Sequence, residues 1–144
     1  METKDISSAP LFIKDLFRAA LLTRDKAYSP YSGLKVGAAI RTRSGQIFSG
    51  CNVENSSYGA SMCAERVAIQ KAISEIGGKG FEIEAVMVVT DATPPWPPCG
   101  MCRQVISEFG LHAKIYLANI QGVFLESDFG ELFPQAFTPT HLQK

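Results

Sequence analysis

The stretch "SMCAERVAIQKAISEIGG", residues 61–78, combines an amphipathic helix with three polar or reactive residues in its first turn. Its apolar positions recur at helical spacing, and the glycine pair at 77–78 is typical of a helix end. Cys63, Glu65 and Arg66 stand at the start of this otherwise apolar helix. The pattern therefore predicts a helix that packs on a core along its length and carries functional groups at its N-terminus.

The segments around this helix alternate between helical and strand patterns. Two further helices are predicted, an amphipathic one at 9–28 and one at 99–110. The strand patterns lie at 34–42, 46–54, 83–91, 113–119 and 122–127, and the first two are joined by the tight turn "RSGQ" as a hairpin. The run "IEAVMVVTD" has a continuous apolar centre, "AVMVV", as in a strand whose two faces are both covered.

This order of elements predicts an α/β fold. The expected architecture is a three-layer α/β/α sandwich around a mixed, about five-stranded sheet. A chain of 144 residues without a linker or repeat is the size of one domain, so residues 1–144 are predicted to form a single domain.

Composition narrows the classes of function. The chain has 14 Lys and Arg residues and 14 Asp and Glu residues, which gives zero formal net charge. Binding to nucleic acid or to an anionic membrane needs clustered basic residues, so neither partner is expected. The N-terminus lacks a signal-peptide pattern, and the apolar run "AVMVV" is too short to span a bilayer. A cytoplasmic protein is expected.

The cysteines indicate a metal site. Cys99 and Cys102 form a Cys-x-x-Cys motif at a loop-to-helix junction, which can place two sulfurs on one zinc ion. Cys63 starts the other helix, and helix N-termini favour thiolates. If the two helix starts meet, three thiolates leave zinc one open position, as in catalytic sites. Zinc lowers the pKa of a water bound at that position to roughly 7. Glu65, two residues after Cys63, could then transfer the protons of this water. Arg66 could offset the negative charge of the thiolates by hydrogen bonding to sulfur.

Other interpretations of these residues stay open at this point. Cys99 and Cys102 also suit a redox pair or inert thiols. Cys51 suits a small buried hydrophobic residue, or a fourth ligand that would close a structural zinc site. Glu65 and Arg66 also suit a solvated first turn of a helix.

Asn52 and Glu54 are a second pair of candidate site residues. They flank Val53, so on a strand their side chains point the same way. That arrangement suits binding to two hydroxyl groups, and it equally suits exposure to solvent.

Several motifs together resemble one enzyme family. "CAE" at 63–65 followed by "PCGMC" at 98–102 resembles the signature of the zinc-dependent cytidine deaminases, with Cys in place of the more widespread His. Four further stretches resemble the small, homotetrameric type with three cysteine ligands: "YSPYSGLKVGAA", "GCNVENSSYG", "PPCGMCRQV" and "LFPQAFTP". They occur in the family's order, and the resemblance covers nearly the whole chain.

The resemblance implies a function and roles for residues. The implied reaction is the hydrolysis of cytidine or deoxycytidine to uridine or deoxyuridine with release of ammonia, in pyrimidine salvage, with one Zn²⁺ per subunit. Cys63, Cys99 and Cys102 would hold the zinc and Glu65 would shuttle protons. The implied substrate contacts are Asn52 and Glu54 for the ribose hydroxyls, the backbone near Ala64 for the base, and Ser56, Tyr58 and Phe137 as contributions from neighbouring subunits of a homotetramer with shared active sites.

Two positions depart from the family pattern. Leu34 stands where an aromatic residue usually stacks on the pyrimidine, and Trp96 stands where a smaller aliphatic residue is usual. Leucine keeps an apolar wall but loses the geometry of stacked rings. A reshaped base pocket is therefore expected, with a modified cytosine nucleoside as the alternative substrate.

Three competing functions follow from the same residues. A deaminase of bases within RNA or DNA needs a basic surface, which the balanced charge does not favour. A deaminase of a nucleoside antibiotic would have different sugar contacts, which "CNVEN" at 51–55 argues against. A zinc-stabilised binding module would leave Glu65 and the open zinc position without a use.

Overall fold

The computed structural model describes residues 2–143; Met1 and Lys144, which the predicted domain includes, lie outside the described residues. Within that range the strands form one six-stranded sheet in the order β1-β6-β5-β4-β2-β3. The strands are β1 (Thr3–Asp5), β2 (Gly37–Thr42), β3 (Ile47–Cys51), β4 (Ile83–Thr90), β5 (Lys114–Asn119) and β6 (Val123–Asp128). β4 and β5 are parallel and the other neighbours are antiparallel, so the predicted mixed sheet is confirmed.

Helices cover both faces of the sheet, which confirms the predicted three layers. The helices are α1 (Leu11–Arg24), α2 (Ala64–Ile76), α3 (Gly100–Phe109) and the short α4 (Phe129–Leu132). Leu16 of α1 packs in one apolar cluster with Met87, whereas Ile69 of α2 and Ile106 of α3 pack in another with Val86. β4 sends alternate side chains to the two clusters, which explains why it is apolar at every position from Ala85 to Val89.

Close packing holds the start of α2 against the sheet. A Cβ atom on Gly50 of β3 would lie 2.5 Å from the backbone nitrogen of Ala68 and 2.9 Å from the carbonyl oxygen of Ala64. Only glycine permits this approach. The hairpin therefore fixes where the N-terminus of α2, with Cys63 before it, lies relative to the sheet.

The structure corrects the strand count and two strand boundaries. β1 is a sixth strand, which the sequence did not indicate because its three residues are all exposed and carry no apolar alternation. The strand predicted at 34–42 begins only at Gly37, and the one predicted at 46–54 ends at Cys51. The hairpin strands therefore exclude the segments 34–36 and 52–54. Side chains in these segments form hydrogen bonds with backbone groups in place of a regular strand ladder.

No helix within residues 2–143 combines the length and the apolar character that a membrane span requires.

Candidate active site

Three cysteines meet where two helices begin. Cys63 immediately precedes α2, Cys99 precedes α3, and Cys102 lies in the first turn of α3. Their sulfur atoms all lie within 4.8 Å of one another, and the Sγ atoms of Cys63 and Cys99 are 3.7 Å apart. A tetrahedral zinc with Zn–S bonds of 2.3 Å holds its sulfurs about 3.8 Å apart, so the cluster fits a zinc ion.

Cys51 does not belong to this cluster. It lies in β3 as a free, half-buried thiol, outside the one group of potential ligands that residues 2–143 form. This position argues against the alternative in which Cys51 is a fourth ligand. Three cysteine ligands leave one position of a tetrahedral ion open, which is the arrangement of catalytic zinc.

Charge at the cluster is balanced by an arginine. The Arg66 guanidinium donates a hydrogen bond from Nη2 to Cys63 Sγ at 3.3 Å. The hydrogen bond from the Cys102 thiol, aided by those from Arg66 and Cys99, lowers the pKa of Cys63 to about 5. The same contact with Cys63, together with burial, raises the pKa of Cys102. Metal binding would displace the protons that the cysteine thiols still carry, because zinc binds the thiolate form.

Glu65 is a buried carboxyl group beside the thiols. It lies in the first turn of α2 with 4% of its surface exposed. Burial, with a smaller contribution from the negative charge of Cys63, raises the pKa of Glu65 to about 7. A carboxyl group with this pKa takes up and releases protons near neutral pH, as a general acid and base must.

A cavity of about 380 Å³ opens onto this cluster. Cys63, Glu65 and Cys99 line it together with Asn52 and Glu54, which the sequence had suggested as hydroxyl-binding residues. Its volume is in the range of small-molecule sites, and most of its other lining is apolar. One cavity therefore holds the metal-binding group, the proton-transfer group and a pair of polar side chains.

Asn52 and Glu54 do not alternate along a strand as expected. Asn52 donates from Nδ2 to the Leu34 carbonyl and accepts from the Val36 N–H, both at 2.8 Å. The Glu54 carboxylate accepts from the backbone N–H groups of Tyr31 and Ser32 at 3.0 and 3.1 Å. Both side chains bind the segment 31–36 and still reach the cavity.

Comparison with known proteins agrees with this site. The family model for the cytidine and deoxycytidylate deaminase zinc-binding region matches residues 12–118. The chain belongs to the cytidine deaminase family.

Proteins similar over most of the chain include cytidine deaminases and a blasticidin-S deaminase. A cytidine deaminase of Halalkalibacterium halodurans is 46% identical over 85% of this chain and 92% of its own. The cytidine deaminase from Burkholderia pseudomallei, known from a crystal structure, is 44% identical in sequence. The two structures superpose with a TM-score of 0.78 over 86% of this chain and 98% of the Burkholderia chain. A blasticidin-S deaminase of Bacillus cereus is 36% identical over 72% of this chain and 76% of its own.

The structure brings together some of the residues that the family resemblance implied and leaves others outside. Ala64, at the first position of α2, lines the cavity, as does Leu34. Ser56, Tyr58 and Phe137 do not line it in this chain. They lie on the surface, where 75% of Tyr58 and 55% of Phe137 is exposed.

Several lining residues were missed. The sequence indicates only a turn at Ser32 and only a core strand at Val88 and Thr90, yet all three line the cavity. No sequence signal distinguished them, because a polar turn residue and an apolar strand residue have the same pattern whether or not a cavity adjoins them. Trp96, noted in the sequence as unusual for the family, is one of the lining residues.

Proposed function

We propose that this protein is a zinc-dependent cytidine deaminase that hydrolyses cytidine and deoxycytidine to uridine and deoxyuridine and releases ammonia. The observation that carries the proposal is the convergence of three cysteine sulfurs and the buried Glu65 in one cavity with Asn52 and Glu54. Metal chemistry, proton transfer and sugar binding are thereby available at one place. The substrate is a free nucleoside, because zero net charge gives no support for nucleic acid as a partner.

The metal centre in this proposal consists of Cys63, Cys99 and Cys102. The zinc ion, when bound, supplies Lewis acidity that makes water nucleophilic near neutral pH. Arg66 offsets the negative charge of the thiolates through its hydrogen bond to Cys63. Thiolate ligands must remain reduced, which agrees with a cytoplasmic location.

Glu65 moves the protons of the reaction. It accepts a proton from the attacking water and delivers it to N3 of the cytosine ring as the oxygen bonds to C4. It then transfers the second proton to the exocyclic amine. The C4–N4 bond breaks, ammonia leaves, and the oxygen remains on C4 as the carbonyl of uridine. The raised pKa of Glu65, about 7, suits both directions of transfer.

Asn52 and Glu54 bind the sugar hydroxyls, and the backbone near Ala64 contacts the base. Glu54 is half-buried at the cavity, and the hydrogen bonds from Ser32 and Tyr31 lower the pKa of its carboxyl group, so it is ionised at neutral pH and can accept hydroxyl hydrogens. Leu34 provides an apolar wall beside the base.

The active enzyme in this proposal is a homotetramer with shared active sites, each subunit being a single domain. Ser56, Tyr58 and Phe137 are exposed and lie outside their own cavity, which is what residues donated to a neighbouring subunit require. The oligomeric state in solution, measured by light scattering, tests this part. A monomer with full activity would contradict it.

Metal content and turnover test the function together. We expect one zinc per subunit and ammonia release from cytidine and deoxycytidine in the unaltered protein. Glu65→Gln should retain the zinc and lose at least about a hundredfold in kcat. Glu75→Gln, on the exposed end of the same helix, is the matched control and should stay fully active. Zinc-loaded protein that releases ammonia from no nucleoside contradicts the proposal.

A modified cytosine nucleoside, such as a nucleoside antibiotic, is the second candidate substrate. Leu34 and Trp96 both line the cavity, and the loop that carries Trp96 is anchored by hydrogen bonds from Arg103 to the Pro98 carbonyl at 2.8 Å and from Asn119 to Thr93 at 3.2 Å. The loop is therefore held on both sides of Trp96, whose side chain lines the cavity while 42% of its surface stays exposed. The similarity to a blasticidin-S deaminase agrees with this candidate.

Substrate ranking separates the two candidates. The values of kcat/KM for cytidine, deoxycytidine, blasticidin S and cytidines substituted at C5 or N4 are compared. Higher kcat/KM for a substituted nucleoside than for cytidine supports the second candidate. A clear preference for plain cytidine over every analogue rules it out.

A further inference from the structure

Ser32 joins two parts of the cavity that have different tasks. Its hydroxyl donates a hydrogen bond to Glu54 Oε2 and accepts one from the Leu34 N–H at 3.0 Å. Its backbone N–H donates to Glu54 Oε1 at 3.1 Å. One short turn residue therefore contacts the carboxylate proposed to bind the sugar and the residue proposed to form the wall beside the base.

Leu34 is held on its other side by Asn52. The Asn52 side-chain amide donates to the Leu34 carbonyl at 2.8 Å and accepts from the Val36 N–H at 2.8 Å. Both backbone polar groups of Leu34 are thus bonded to side chains, Ser32 on the nitrogen and Asn52 on the oxygen. The positive φ of 71° at Gly33 makes the tight turn that brings Ser32 and Leu34 together.

The same side chains retain capacity for a ligand. A carboxylate oxygen accepts two hydrogen bonds, and Oε2 of Glu54 accepts one, from Ser32. The Asn52 amide has a second N–H and a second lone pair beyond those it uses. Sugar hydroxyls can therefore join this network without breaking it, and the network connects Glu54 and Asn52 to the backbone of Leu34.

We propose that Ser32 is a positioning residue that couples recognition of the sugar hydroxyls at Glu54 to the placement of the Leu34 wall beside the base. This inference rests on the proposed function, in particular on sugar binding by Asn52 and Glu54. It adds that the fit of the base depends on which hydroxyls the sugar carries.

The test compares Ser32→Ala with the unaltered enzyme on two substrates. Cytidine has the 2′ and 3′ hydroxyls that Glu54 would bind. The analogue 2′,3′-dideoxycytidine lacks both of these hydroxyls. For cytidine we expect KM to rise about tenfold with little change in kcat, as for the loss of one hydrogen bond to a charged group. For 2′,3′-dideoxycytidine the rise should be about twofold, because only the placement of Leu34 is then affected.

Two variants serve as controls. Ser29→Ala removes a hydroxyl three residues away, from a side chain that bonds to none of the residues the structure describes and does not line the cavity, so KM should not change. Ser32→Thr keeps the hydroxyl and should restore KM to within about threefold of the unaltered value, since the hydrogen bond remains available. Bound zinc in each variant shows that the fold is retained.

A double-mutant cycle tests the link to the base wall. If Ser32 acts through Leu34, the effects of Ser32→Ala and Leu34→Ala on KM for 2′,3′-dideoxycytidine are not additive. Any one of three results overturns the proposal. Ser32→Ala could raise KM equally for the two substrates, its effect on KM could add to that of Leu34→Ala, or Ser32→Thr could fail to recover KM. Failure of the unaltered enzyme to turn over cytidine instead overturns the proposed function, so the two failures are distinguishable.

Discussion

Replacing Arg66 should weaken zinc binding without unfolding the protein. The guanidinium is 3.3 Å from Cys63 Sγ, and three thiolates with one zinc carry a net negative charge that it offsets. The side chain is half-buried, so its charge is only partly screened by water. Arg66 also has a buried Nε with no partner among the described residues, so its position near the thiolates is not secured by a hydrogen bond at that atom.

The expected size follows from this geometry. Residues that hydrogen-bond to metal ligands contribute tenfold to a hundredfold in metal affinity. Because Arg66 makes one hydrogen bond to sulfur and is partly exposed, we expect Arg66→Gln to lower zinc affinity about tenfold, or about 1.4 kcal/mol. Arg66→Lys keeps a charge but loses the planar fork, and should show a smaller loss.

Competition with a chromophoric chelator under reducing conditions measures these affinities. Arg43→Gln is the matched control, because Arg43 is an exposed arginine whose ion pair with Glu82 lies away from the cavity. Its zinc affinity should equal that of the unaltered protein. Zinc affinity of Arg66→Gln within twofold of the unaltered value, with the same fold, would refute the assigned role of the guanidinium.

Three further outcomes follow from the structure. Cys51→Ala should retain one zinc per subunit by elemental analysis, and loss of zinc would restore the fourth-ligand alternative. Gly50→Ala should lower the free energy of unfolding by about 2 kcal/mol in denaturant titrations because the methyl group meets α2, whereas Gly59→Ala, which has open space, should lie within about 0.5 kcal/mol. Burial raises the pKa of Tyr116 to about 12, so the folded protein loses stability as the pH rises from 10 towards 12. Between pH 9 and 11, the free energy of unfolding of Tyr116→Phe should therefore fall by about 1 kcal/mol less than that of the unaltered protein, as measured by thermal unfolding. Equal losses in the two proteins would contradict this.

The zinc ligands could be predicted because their signal is local. Cys99 and Cys102 are separated by two residues at a helix start, and Cys63 is marked by the apolar helix that follows it. What the spacing alone left open was whether the two helix starts meet. The parallel pairing of β4 and β5 with α3 between them, and the close packing of α2 at Gly50, bring them together.

The sixth strand could not be predicted in the same way. β1 pairs with β6, which lies at the other end of the chain, and its three residues are exposed on an edge. An edge strand of this length has no apolar face to place against the core, so its hydrogen bonds with β6 are its main link to the fold. Neither composition nor periodicity records such a partner.

Asn52 and Glu54, the pair proposed to bind the sugar, could be predicted only in part. Alternation predicted that Asn52 and Glu54 face the same way because a strand was expected to continue through them, yet β3 ends at Cys51. Both side chains instead bond to backbone groups of the segment 31–36, which is separated from them in sequence by the β2–β3 hairpin. Both residues line the cavity, as the sequence suggested, but most of their bonding partners are backbone atoms, and backbone atoms leave no trace in the sequence.

These bonds have a consequence for specificity. Because Asn52 and Glu54 already hold the segment that carries Leu34, their polar groups are oriented in advance, which would reduce the entropy cost of the proposed sugar binding. The same bonds mean that a change at Leu34 made to fit a different base will alter the segment that orients the sugar-binding groups. Base preference and sugar preference in this enzyme should therefore change together, and a variant selected for a modified base should show altered discrimination between ribose and deoxyribose.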